Sequence, residues 1–103
     1  MKITYSQSVA DTVALSTKIT QKSGVFSVAF TTAAGVHHSA IFTLYDSAGT
    51  PTTVVLSGNA THFSITKTTD TKVNVYWETD QVKVENQFGE TLSIKVEGEF
   101  YSN

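Results

Sequence analysis

The sequence has no cysteine, no arginine and one proline, and only 16% of its residues are charged. Without cysteine there is no disulfide framework, no thiolate zinc or iron–sulfur site and no cysteine nucleophile, while the redox compartment stays open. Without arginine the bidentate fork that reads phosphate or guanine is missing. The 7 cations are all lysines, set against 9 carboxylates for a net charge of −2. Lys18 with Lys22 and Lys67 with Lys72 are too sparse to build the positive field that nucleic acid needs, so no nucleic-acid partner is expected. No apolar run reaches the length of a membrane span, and Met1-Lys2-Ile3-Thr4-Tyr5-Ser6 lacks the apolar stretch of a secretion signal. Neither membrane insertion nor signal-peptide export is expected.

What is plentiful is β-branched: Thr, Val and Ile make up about a third of the chain, and such residues fit a pleated surface better than a helix. The expectation is an all-β fold in one domain over residues 1–103, a length at which a single core buries roughly 65% of the unfolded surface without staples. Alternation divides the chain into nine candidate strands: Lys2–Ser6, Val13–Thr20, Val25–Thr32, Ala40–Tyr45, Thr52–Leu56, Thr61–Lys67, Lys72–Glu78, Gln81–Glu85 and Thr91–Tyr101. Between them lie Gly, Asn, Asp and Ser clusters suited to turns, including Asp46–Pro51, Thr79-Asp80 and Asn86–Gly89.

The last third makes a register prediction. Folding about Thr79-Asp80 pairs Trp77 with Val82 and Val75 with Val84; folding again about Asn86–Gly89 pairs Val84 with Leu92 and Val82 with Ile94. One face then carries Val73, Val75, Trp77, Val82, Val84, Leu92, Ile94 and Val96, and a wettable face carries Asn74, Tyr76, Lys83, Glu85, Ser93 and Lys95. Phe26, Val28, Phe30, Phe42 and Leu44 alternate with smaller or polar residues and supply a cover, which gives two antiparallel sheets packed face to face in a jelly-roll-like sandwich. Ala40–Tyr45 is apolar on both faces, as is His62–Ile65 to a lesser degree. Either these are central strands covered twice or one face is buried only in an oligomer, with Ile41, Thr43 and Tyr45 as interface candidates and cyclic symmetry expected.

Few residues offer chemistry. His37-His38 is the one adjacent histidine pair, with His62 elsewhere. Neighbours on an extended chain point to opposite sides, so the pair reads as a polar loop tip after Gly35, or as a weak metal candidate if a threefold axis gathers copies. Glu97 and Glu99 flank Gly98 on one strand, roughly 7 Å apart, which reads as a solvated face rather than a glycosidase pair across a cleft. No Ser–His–Asp arrangement or nucleophile elbow is present. Asp46, Asp70 and Asp80 sit in turns, where Asp bonds its own backbone and a calcium site is not required. Asn59-Ala60-Thr61 is a formal glycosylation sequon. Trp77 falls on the covered face, whereas Tyr45 and Tyr76 are the tyrosines placed to touch a sugar or a partner subunit. No cofactor and no enzymatic activity are expected.

Three stretches carry a resemblance: Lys72–Glu78 with Val82–Gly89 and Thr91–Val96, the segment Gly24-Val25-Phe26-Ser27-Val28, and the run from His37-His38-Ser39 into Ala40–Tyr45. The chain resembles the small β-sandwich domains of bacteriophage virion proteins, the trimeric jelly-roll or tumour-necrosis-factor-like heads of fibres and receptor-binding proteins, over about four-fifths of its length. The resemblance implies a non-enzymatic virion component that trimerises and binds a host-surface glycan or another virion protein. Starting at its own Met without an upstream shaft, it would be an excised head or a short decoration protein. The alternative is a monomeric carbohydrate-binding or adhesion module of a cellular protein, with Tyr76 and Tyr45 in the sugar site.

Overall fold

A computed structural model describes residues 1–47 and 51–101 as nine strands and no helix. In chain order they are β1 (Lys2–Val9), β2 (Ala14–Ser16), β3 (Ser23–Thr31), β4 (His37–Tyr45), β5 (Thr53–Ser57), β6 (Phe63–Ser64), β7 (Val73–Glu78), β8 (Gln81–Asn86) and β9 (Leu92–Tyr101). They form a five-stranded sheet, β1-β9-β3-β4-β5, and a four-stranded sheet, β2-β8-β7-β6. The chain is therefore the two-sheet sandwich that its alternation predicts. Its ends nest in jelly-roll fashion, β1 on β9 in one sheet and β2 on β8 in the other, while β3, β4 and β5 run as a plain meander. Ala48, Gly49 and Thr50 of the predicted Asp46–Pro51 turn lie outside the described residues.

Phenylalanine rings connect the two sheets. Phe100 stacks on Phe26 at 5.4 Å, Phe26 on Phe42 at 5.5 Å, and Phe42 meets the edge of Phe63 at 5.9 Å. Phe63 then contacts Phe30 at 5.3 Å, and Phe30 contacts Phe88 at 4.9 Å. Offset and tilted pairs of this kind add to the stabilisation from burial alone. Of these rings only Phe88 is not fully buried.

Two glycines fix how closely β3 and β9 approach. The register sets Gly24 opposite Phe100 and Phe26 opposite Gly98, so each phenylalanine has a bare backbone across from it on the inner face. A methyl group at Gly24 would stand 2.6 Å from the Glu99 carbonyl oxygen and 2.7 Å from the Phe100 ring. One at Gly98 would strike the Val25 carbonyl and Cβ of Phe26.

The β7–β8 hairpin has the predicted register, Trp77 with Val82 and Val75 with Val84. Its two turn residues, Thr79 and Asp80, both have left-handed backbones, at φ 54° and 61°, as the tightest hairpin turns require. The predicted continuation into β9 is corrected: β9 pairs with β1 and β3 in the opposite sheet. The cause is Asn86, which is fully buried. Its Nδ2 donates to the carbonyls of Val9 (3.0 Å) and Glu90 (2.7 Å), and its Oδ1 accepts from Phe88 N–H at 2.9 Å. These bonds bind the exit of β8 to the end of β1, and residues 87–91 are long enough to cross the roughly 10 Å between sheets. The apolar set named from the sequence is still the core, but Leu92, Ile94 and Val96 face the valines of β7 and β8 across the interior instead of flanking them.

Two other strands are shorter than their patterns. Val13–Thr20 reduces to Ala14–Ser16 between the left-handed residues Thr12 and Lys18, and Thr61–Lys67 reduces to Phe63–Ser64 between Asn59 and Thr68. β6 runs parallel to β7, the one parallel pair among the described residues. The wettable face expected of β7 and β8 is also corrected: Asn74, Tyr76 and Glu85 are buried, and residues 65–72 fold back over Asn74 and Glu85.

Gly98→Ala should cost about 3 kcal/mol of stability, the upper part of the range for overpacking, because its obstacle is backbone that cannot rotate away. Urea unfolding measures this, and a loss under about 1 kcal/mol would show that β3 and β9 can spread without penalty.

Candidate functional site

Alternation on β4 sends Ala40, Phe42 and Leu44 inward, so Ile41, Thr43 and Tyr45 must point out. All three are exposed, and the pairing surrounds them with more apolar surface. Val25 of β3 lies opposite Thr43, and Val55 of β5 lies opposite Thr43 from the other side. Ile41 sits between Ser27 and Ser57, and Tyr45 is opposite Thr53. Val25, Ile41, Tyr45 and Val55 are each between 42% and 49% exposed, and they form one continuous patch on β3, β4 and β5. The sequence signalled the β4 residues; Val25 and Val55 join them only through register.

Toward β1 and β9 this face carries charges of both signs. Lys2 lies opposite Glu99, Thr4 opposite Glu97 and Ser6 opposite Lys95 across β1 and β9. The N-terminal ammonium pairs with Glu99 at 3.3 Å, and Lys95 reaches Glu97 at 3.9 Å. Thr4 Oγ1 donates to Glu97 Oε2 at 3.4 Å. Glu97 and Glu99 thus share an open sheet face with cationic neighbours.

The histidines begin strand β4 instead of forming a loop tip, because the turn before it closes within Thr32–Val36: Gly35 N–H donates to the Thr32 carbonyl and Thr32 N–H to the Val36 carbonyl, both at 2.9 Å. His37 points outward and its Nδ1 hydrogen-bonds Thr31 Oγ1 at 2.8 Å. His38 points to the rim of the interior, where its ring stacks on that of His62 with centroids 3.7 Å apart and planes 20° from parallel. Asn59 holds His62 in place: its Nδ2 donates to the Ser39 carbonyl, leaving Oδ1 to accept from His62 Nδ1–H at 2.9 Å. Adjacent positions thus separate His37 from His38, and the described residues contain no group of three or more His, Cys, Asp or Glu side chains arranged to hold a metal ion.

Tyr76 lies on the outer side of the other sheet, so no single site includes both Tyr45 and Tyr76. Nor is Tyr76 an open stacking platform, being only 7% exposed. Burial, with help from the charges of Glu85 and Glu78, pushes its phenol up to about 12. Trp77 is half-buried against the core, as its inward phase predicts.

No protein-family model matches the chain, and no curated protein or solved structure matches it significantly.

Partial burial and the neighbouring His38 hold His62 below its ordinary value of 6.5. The unfolded chain therefore binds this proton more tightly than the folded one, and stability should be greatest above pH 6.5 and decline as the pH is lowered past it. Thermal melts across that range should show the decline flattened in His62→Gln; an equal decline in both chains would place its source elsewhere.

Proposed function

We propose that this chain is a non-enzymatic structural domain that assembles with further copies of itself through the outer face of β3, β4 and β5, the patch of Val25, Ile41, Thr43, Tyr45 and Val55. Its concrete form is a bacteriophage virion domain, a fibre head, receptor-binding or decoration protein, and the expected assembly is a homotrimer. The observation that carries the reading is the patch itself. Scattered apolar residues are ordinary on a protein surface, but a contiguous set on an open sheet face marks an interaction surface. The sheet also has the size for it. Five strands about 4.8 Å apart, rising about 3.3 Å per residue, give a face on the order of 700 Å², close to the roughly 800 Å² that each partner contributes to a stable interface. Lysines and carboxylates interleaved on β1 and β9 give the same face a polar rim of both signs. The virion assignment rests on the resemblance of the segments around β3, β4 and the β7–β9 region.

Light scattering on a sizing column should give a mass near three times 11.1 kDa, and Ile41→Lys should return it to one chain while leaving the circular dichroism of the fold unchanged. A single-chain mass at every concentration tested would overturn the assembly reading. Peptide mapping of purified phage particles should find the chain within them, and a chain recovered only outside particles would remove the virion assignment.

A further inference from the structure

The outer side of the four-stranded sheet carries a polar layer that the assembly reading does not use. There Asn74 lies opposite Glu85, and Tyr76 lies opposite Lys83. Over them runs the segment 65–72, joining β6 to β7, and it is an unusual cover. None of its side chains is buried, and its one large apolar residue, Ile65, is 44% exposed. Polar contacts hold it down. Thr68 N–H donates to Glu85 Oε1 at 2.6 Å, Asn74 Nδ2 to the Thr69 carbonyl at 3.0 Å, and Ser64 Oγ–H to Thr69 Oγ1 at 3.2 Å. Lys67 pairs with Glu78 at 2.8 Å. Thr68 and Thr71 have left-handed backbones at φ 62° and 65°, a conformation that disfavours a β-branched residue. A segment without an apolar anchor, closed by three part-buried polar contacts and one exposed ion pair and carrying backbone strain, belongs to the less stable part of a domain.

On the face it crosses, two buried polar atoms have no hydrogen-bond partner among the described residues: Asn74 Oδ1 and the Tyr76 hydroxyl. Such atoms are rare in folded proteins, because a buried polar group without a partner forfeits the hydrogen bonds it makes in water. We propose that the surface under segment 65–72 is a binding site for a neutral polyhydroxyl ligand, a sugar ring or a glycan end, which enters when the segment lifts. The groups there match that chemistry. Asn74 Oδ1 accepts, the Tyr76 hydroxyl donates and accepts, and Glu85 has carboxylate capacity released when Thr68 N–H departs. Lys83, whose Nζ donates to Ser16 Oγ at 3.0 Å, supplies a cation at the margin. Adjacent hydroxyls of a sugar give and take hydrogen bonds within the same few ångströms, and the apolar side of the ring suits the face of Tyr76. An anion is a poor fit beside the carboxylates of Glu85 and Glu78.

The test is amide-resolved NMR of the folded chain titrated separately with glucose, galactose and N-acetylglucosamine. At least one should give saturable shifts confined to residues 66–71, 74–76 and 83–85. Tyr76→Phe, which keeps the buried ring and removes one hydroxyl, should weaken binding roughly tenfold. Deuterium exchange at the Thr68 amide should be far faster than at Val75 or Val84. The proposal fails if none of the three sugars gives a saturable shift, if Tyr76→Phe binds as well as the unaltered chain, or if Thr68 exchanges as slowly as the strands. A slow-exchanging Thr68 would mean a permanently closed segment enclosing solvent alone. The site is on the opposite sheet from the assembly patch, so its failure leaves the oligomer mass untouched, and a single-chain mass leaves these shifts untouched.

Discussion

The close approach of β3 and β9 is the constraint on which the other contacts depend. Gly24 faces Phe100 and Gly98 faces Phe26, and this reciprocal fit of a large residue against a bare backbone specifies the register. A slip of one residue would turn both rings outward and both glycines away from the contacts they accommodate. With the register set, β9 brings β1 to one side and β3 brings β4 and β5 to the other. Phe26 then joins the rings that reach Phe63, through which β6 engages the larger sheet. Among the described residues the core contains no buried charge. The buried carboxylate, Glu85, is on the outside of the smaller sheet.

The two outer faces solve the same problem differently. β4 reads as strict alternation because one of its sides meets the core and the other meets water. On β7 the residues Val73 to Tyr76 are all buried, because segment 65–72 lies over the second side. Burial alone would raise the Glu85 carboxyl, but hydrogen bonds from Asn74, Thr68 and Gln87, together with the charge of Lys67, outweigh it and hold the group below its ordinary value. The carboxylate remains ionised and organises the cover. A buried charge is tolerated where its oxygens are satisfied this fully, whereas the two unpartnered atoms beside it are not so provided for.

How much of this was legible in the sequence depended on whether a feature is local. The nine strands, the β7–β8 register and the outward phase of Ile41, Thr43 and Tyr45 all follow from alternation and from a two-residue turn. The place of β9 did not, because valines and leucines in phase look the same whether they lie beside β8 or across the core from it; Asn86 decides, through partners 77 and 4 residues away. Tyr76 reads as a wet-face residue for the same reason: nothing in β7 itself announces that its second side will be buried. The stack of His38 on His62 and the parallel β6–β7 pair are likewise products of tertiary placement. The assembly patch was half legible, since its β4 members follow from alternation but Val25 and Val55 need the register of three strands.

The nesting of β1 on β9 also governs how the chain emerges during synthesis. β3 and β4 are adjacent in sequence and can form a hairpin early, yet the second edge of β3 and the partner edge of β1 both wait for residues 92–101. At a synthesis rate of about 5–20 residues per second the interval lasts several seconds. Throughout it, the strand bearing Phe26, Val28 and Phe30 presents an unpaired edge, the geometry that invites pairing with a foreign strand. Chains made side by side on one messenger would offer one another that same edge, so the late arrival of a single strand separates correct closure from aggregation on the ribosome.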